Sequence, residues 1–200
     1  MMDHKMKRAG WTVTSRETVF ENPWLELNSY EGIRPDGKPG TYGVMSPKGY
    51  AILILPLFED GTIMLVGQPR FALDNYSWEI PEGGSLKSDP PLDGAKRELK
   101  EETGLTAAYW QEILQAEVSN SLTDEVAFGY LATGLVEGEP EPEGTEIIET
   151  RRLHFLDALE WVMSGKIRDL SSVAMILKAH YMASNGRIDG PLAAAMLTRE

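Results

Sequence analysis

Residues 81–105 leave the chain little choice: a loop rich in proline and glycine, one helix, then a glycine stop. Between Pro81 and Pro91, Gly83, Gly84 and Pro90 punctuate regular structure rather than propagate it. From Pro91 to Thr103, Leu92, Ala95 and Leu99 fall at i, i+3 and i+7, a single apolar stripe. Asp89 stands where an N-cap belongs, with prolines just after it where a helix tolerates them, and Gly104 stands at the C-terminal stop. This helix breaks a local rule. Glu98, Glu101 and Glu102 crowd its second half, where carboxylates oppose the macrodipole at a cost of roughly 0.3–1 kcal/mol each. Glu98 and Glu102 are i,i+4 neighbours on one face and repel one another. Taken alone, the pattern reads as a solvated acidic face with Arg97 paired to Glu101. A hard divalent cation would turn the same repulsion into a binding site.

The flanking sequence is mostly strand-like. Thr12–Thr14, Thr18–Phe20 and Trp24–Leu27 are short β-type runs, with Asn22-Pro23 as a break, and residues 33–40 form a turn-rich connector. Tyr42–Met45 resumes a strand, Ala51–Leu57 reads as a buried one, and Glu59-Asp60-Gly61 turns the chain into Thr62–Gln68. Further strands are expected at Glu112–Val118, Val126–Leu135 and Ile147–Phe155, and helices at Leu156–Ser164 and Ser171–Ala183, with a mobile tail after Asn185. Met163, Met175 and Met182 lie on apolar stripes and are expected in the core. Strands mixed with a few helices, without regular βαβ alternation, predict a mixed α+β or α/β architecture.

Composition removes several chemistries. The absence of cysteine excludes disulfides and thiolate sites and suits a reducing cytoplasm. His4, His154 and His180 are too scattered to suggest a zinc site or a Ser-His triad, and no P-loop is present. Acidic residues outnumber basic ones by 31 to 19, a net charge of −12, which disfavours nucleic acid and anionic membranes as partners. The longest apolar run, Ala51–Phe58, is too short to span a bilayer.

Gly83, Asp89 and Arg97-Glu98-Leu99-Lys100-Glu101-Glu102-Thr103-Gly104-Leu105 resemble the Nudix box, G-x5-E-x7-R-E-U-x-E-E-x-G-U, with Asp89 in place of one glutamate. The resemblance implies a Nudix-type α/β/α sandwich and hydrolysis of a phosphoanhydride with Mg²⁺, or Mn²⁺ as a substitute. It implies Glu98 and Glu102 as the main metal ligands, Glu101 as a supporting one, a further ligand from the Glu82 backbone carbonyl, and Arg97 orienting the glutamates. Glu102 is expected to be exposed when metal-free. Val66–Arg70 and Trp78–Pro81 resemble the segment that leads into the box in the ADP-ribose-pyrophosphatase branch, where an arginine matching Arg70 contacts substrate. Ser119–Glu125 resembles that branch's substrate loop, with Glu125 as a substrate contact, but Asn120-Ser121 replaces its Pro-Gly. In that branch the general base is a glutamate on a mobile loop ahead of a Gly-Lys-Ile. Counting back from Gly165-Lys166-Ile167 places it at Glu146, with Glu149 as the neighbouring alternative.

The same resemblance divides the chain into a flexible N-terminus (1–10), a small antiparallel β extension that dimerises (11–45), the Nudix domain (46–185) and a tail (186–200). The expected activity is cleavage of a nucleoside diphosphate linked to a sugar. ADP-ribose, giving AMP and ribose 5-phosphate, is the first candidate. GDP-mannose or another nucleotide sugar, and a non-catalytic nucleotide-sugar sensor, are the rivals. The expected partners are that small molecule and a second copy of the chain.

Overall fold

The computed structural model describes residues 6–141 and 148–199. They fall into two compact units, 1–50 with 117–126, and 51–116 with 127–200. The first unit is an antiparallel sheet in the order β1 (Met6–Arg8), β2 (Trp11–Glu21), β3 (Leu25–Ile33), β4 (Pro39–Pro47). Two short runs expected between Thr12 and Phe20 are one strand here, bent by register shifts at Val13/Ser15 and Thr18/Phe20. β-bulges let a long strand turn without ending, which breaks the alternation that sequence patterning relies on. Val13, Tyr30 and Val44 form this unit's own small core, with Trp11 packed on it.

The second unit has two sheets. One has the order β8 (Glu82–Leu86), β5 (Gly49–Pro56), β10 (Val126–Val136), β9 (Thr106–Glu117). Its β5 and β10 are parallel, Ala51 opposite Ala127 through Pro56 opposite Ala132. Ile52 to Leu55 are all buried, as a central strand covered on both faces requires. The other sheet, β11 (Glu149–His154), β6 (Thr62–Arg70), β7 (Asn75–Glu79), is antiparallel, and a 3₁₀ turn at Phe71–Leu73 joins β6 to β7. Helix α1 (Pro91–Thr103) packs on β8 and β6, while α2 (Phe155–Met163), α3 (Leu170–Ser184) and α4 (Gly190–Leu197) pack on one another, with α2 also on β6 and β11. This is the mixed α/β arrangement expected. Among the described residues no helix is long and apolar enough to cross a membrane.

Several expectations need correction. The N-cap of α1 is Pro90, with no side-chain cap, and the Asp89 carboxylate instead accepts from Ser88 Oγ at 2.8 Å. Consecutive prolines preset the φ of the first turn, so the helix starts without a capping side chain. Glu82–Leu86, expected as loop, is a strand, because sheet pairing overrides the low strand propensity of Gly83 and Gly84. The expected tail contains α4, whose Ala193 and Met196 are buried in the main core. Met175 and Met182 are core residues, but Met163 is 70% exposed at the last turn of α2.

Candidate active site

The second unit gathers its carboxylates where β7 ends, β8 begins, α1 runs and α3 starts. Glu79 closes β7 and Glu82 opens β8, separated by Ile80-Pro81. The Pro81 carbonyl accepts the Ile54 N–H at 2.9 Å, and the Glu82 N–H donates to Glu102 Oε2 at 3.1 Å. Glu102 is only 4% exposed. The expectation that it stands free in solvent fails, because its carboxylate is enlisted as an acceptor for the β8 backbone. Glu79, Glu82 and Asp169, the last residue before α3, each offer an oxygen, and these oxygens lie within 4.8 Å of one another. Neither Glu79 nor Asp169 is marked by the box. Glu79 lies in the Trp-Glu-Ile-Pro segment that carries the branch resemblance, whereas Asp169 had no signal beyond an N-cap position.

Arg70, at the end of β6, is the cation within this group. Its Nε lies 3.0 Å from both Glu79 carboxylate oxygens, its Nη2 also pairs with Glu79, and Nη2 reaches Glu82 Oε1 at 2.8 Å. Burial pulls the guanidinium down, but Glu79, Glu82 and Asp169 outweigh it and raise it overall. One guanidinium does not satisfy so many acids. The Glu82 carboxyl is pushed well above the ordinary range, by burial first, then by Asp169 and Glu79, with Arg70 opposing and Glu102 adding to the rise.

That shift has a stability consequence with a definite sign. A carboxyl whose folded pKa is raised contributes stability that is fully present below the ordinary glutamate value and is lost as pH rises through the raised one. Above it, ionised Glu82 destabilises the metal-free protein. Relative to wild type in EDTA, Glu82→Gln is therefore expected to gain melting temperature as pH rises above the ordinary glutamate range, with the gap closing towards acid pH. Calorimetric melts across a pH series check it, and a gap that does not grow with pH contradicts it.

The second half of α1 is organised by Arg97. Its Nη1 pairs with Glu101 Oε2 at 2.6 Å, and its Nη2 reaches both Glu98 Oε1 at 2.7 Å and the Gly84 carbonyl at 2.6 Å. Burial lowers this guanidinium, and Glu98 and Glu101 more than offset that. Like-charged neighbours are thus clamped in one orientation against the start of β8. Gly83 makes room for the clamp: a Cβ there would lie 2.2 Å from the Glu98 carboxyl carbon. Gly104 ends the helix at φ 72°, its N–H on the Lys100 carbonyl at 2.8 Å. An L side chain is strained in that conformation, which suits glycine.

Glu125 and Glu149 are the other expected site residues with described positions. Glu125 belongs to the first unit, where it lines a cavity of about 370 Å³ with Trp11, Tyr42, Asn120, Ser121 and Asp124. Tyr42 Oη donates to the Ser121 carbonyl at 2.6 Å, and Ser46 Oγ to Asp124 at 2.9 Å, tying this loop to β4. Glu149 starts β11 opposite Gly67 and accepts from Tyr76 Oη at 2.9 Å. Glu146 lies outside the described residues.

Comparison with known proteins gives the family of this fold. Residues 47–171 match the NUDIX domain model, and residues 11–45 match the nucleoside diphosphate sugar hydrolase N-terminal domain. The chain belongs to the Nudix family and is a Nudix hydrolase. It is 31% identical over 181 residues to an ADP-ribose pyrophosphatase of Mycobacterium tuberculosis (strain ATCC 25618 / H37Rv), covering 89% of this chain and 87% of the relative. It is 29% identical over 149 residues to a GDP-mannose pyrophosphatase of Yersinia pestis (strain Pestoides F), covering 68% of this chain and 73% of the relative. A crystal structure of an ADP compounds hydrolase shares the fold, with a TM-score of 0.79 at 18% identity, over 92% of this chain and all of that one.

Proposed function

We propose that this hydrolase splits the pyrophosphate of a nucleoside diphosphate linked to a sugar, with ADP-ribose as its first substrate and AMP and ribose 5-phosphate as products. The observation that carries the reading is the complete carboxylate set of α1, clamped by Arg97 against β8 and adjoining Glu82. A domain that only bound nucleotide sugars would have no need of it. The donor set suits a hard cation, since Glu79, Glu82 and Asp169 each offer a carboxylate oxygen within 4.8 Å of one another and α1 carries three glutamates beside Glu82. Glu98, Glu101, Glu102 and Glu82 would hold Mg²⁺, or Mn²⁺ in its place, with Glu79 and Asp169 adjacent. Bound metal supplies neutralisation of the pyrophosphate oxygens and a water of lowered pKa.

The chain's own residues do the rest. Arg97 keeps Glu98 and Glu101 aimed, and Arg70 offers a guanidinium for a substrate oxygen. Glu146 takes the proton of the attacking water. That water's oxygen bonds to one phosphorus as the bridging P–O bond breaks, and the bridging oxygen leaves with the other phosphate. Glu125 is assigned to substrate binding. Asn120-Ser121 in place of Pro-Gly favours a second reading, GDP-mannose or another nucleotide sugar. Residues 11–45 serve as the dimerisation sheet, which Met6–Arg8 of the expected flexible N-terminus joins as β1, and 46–185 as the catalytic domain, onto whose core α4 of the expected tail folds. The cytoplasm is the assigned compartment.

Phosphate-coupled product release from ADP-ribose, GDP-mannose, UDP-glucose and NADH, with Mg²⁺ and with EDTA, tests the activity. Cleavage of ADP-ribose that EDTA abolishes is the expected result. Preference for GDP-mannose moves the substrate assignment, and no turnover on any of the four overturns it. A homodimer is also expected, since Val19, Phe20 and Trp24 of the first unit stand exposed. Light scattering at micromolar concentration should give twice the chain mass, and a monomer would refute the dimer.

A further inference from the structure

The break between Glu79 and Glu82 has one backbone donor that no strand can satisfy. Pro81 has no N–H, and Ile80 lies beyond the last β7 pairing, Glu79 opposite Val66. Ile80 is fully buried, so its N–H must find a partner inside the protein. That partner is Ser172 Oγ on α3, at 3.0 Å and 92 residues away in sequence. Ser172 is itself fully buried. Its own backbone N–H donates to Asp169 Oδ2 at 2.7 Å, the side-chain cap of α3. One helical turn therefore carries the Asp169 carboxylate and, through Ser172, grips the two-residue step that separates Glu79 from Glu82.

We propose that Ser172 is a positioning residue for the metal-binding carboxylates: its hydroxyl fixes the Glu79–Glu82 step against the first turn of α3. The inference rests on the metal reading above. The step is held from three sides, by Ile54 N–H on the Pro81 carbonyl, by Glu102 on the Glu82 N–H and by Ser172 on the Ile80 N–H. The first two hold it to β5 and α1, and of these three bonds it is that of Ser172 that registers the step with the turn bearing Asp169. Removing the hydroxyl leaves a buried N–H without an acceptor, and the step relaxes to find one. Carboxylates that must meet a cation within tenths of an ångström then lose their preset spacing. Supporting hydrogen bonds of this kind are worth about 10–100-fold in metal affinity.

The experiment is Mn²⁺ titration followed by electron paramagnetic resonance of the free ion. Wild type, Ser172→Ala, Ser172→Thr and Glu102→Gln are compared, with a thermal melt and a Mn²⁺-dependent rate curve for each. Ser172→Ala is expected to raise the Mn²⁺ Kd about tenfold, with kcat at saturating Mn²⁺ falling less than about threefold. Ser172→Thr, which keeps the hydroxyl, should return the Kd to near wild type. Should the alanine variant not fold, Ser172→Cys replaces it, since sulfur is close in size but a weak acceptor. A lower melting temperature with an unchanged Kd makes Ser172 merely structural and overturns the proposal. So does a threonine variant as weak as alanine. If wild type binds no Mn²⁺, or Glu102→Gln binds it equally well, the metal reading fails and takes this inference with it. Normal wild-type binding with a sensitive Glu102 and an indifferent Ser172 overturns the Ser172 role alone.

Discussion

Glu102→Gln is expected to lower kcat about 10²–10³-fold, the scale on which one preorganised electrostatic partner of a transition state matters. The fold should survive. Glu102 Oε2 accepts the Glu82 N–H, and a glutamine carbonyl oxygen accepts it equally well from the same place. The substitution therefore removes charge and keeps the bond. Glu102→Ala would not separate these effects, because it leaves a buried N–H unpaired at about 1–3 kcal/mol. Steady-state rates at saturating Mg²⁺ and a melting curve check the pair of outcomes. Activity within a few-fold of wild type would show that Glu102 holds no metal that matters.

A comparable loss, about 10²–10⁴-fold in kcat, is expected for Glu146→Gln if its carboxylate accepts the proton of the attacking water. Glu149→Gln should stay within a few-fold. The two acids lie three positions apart, but Glu149 already has a structural occupation. It sits in register on β11 and accepts the Tyr76 phenol, whose pKa is raised by burial first and by Glu149 next. A general base needs freedom to meet its proton, and that pairing restrains Glu149. Single-turnover rates as a function of pH distinguish the two. Loss of the acidic limb in Glu146→Gln supports the assignment, whereas a large loss confined to Glu149→Gln would transfer the role.

The carboxylates also explain why α1 tolerates acids at the wrong end of its dipole. Arg97 neutralises Glu98 and Glu101, and Glu102 is spent on the Glu82 N–H, so the repulsion read from spacing is offset by specific partners. The outer members of this arrangement are partly exposed, where a single ion pair contributes only about 0–1 kcal/mol. Orientation rather than stability is what the clamp supplies.

Spacing along the chain was enough to place α1, its glycine stop, the buried β5, the mixed α/β class and the box carboxylates, because each depends on neighbours within a few residues. Period-3.6 patterning reports a helix face, and i,i+4 spacing reports which acids share it. Tertiary structure decided what depends on distant partners. Glycines hid β8, which exists because β5 pairs with it. The burial of α4 arises from helices folding back onto the core, which a short apolar segment does not announce. No periodic or motif signal marks Asp169 or Ser172, and only α3 packed against the Glu79–Glu82 step brings them there. Contacts spanning 90 or so residues leave no periodic trace, so the local code names the chemistry, and only packing shows what holds it in place.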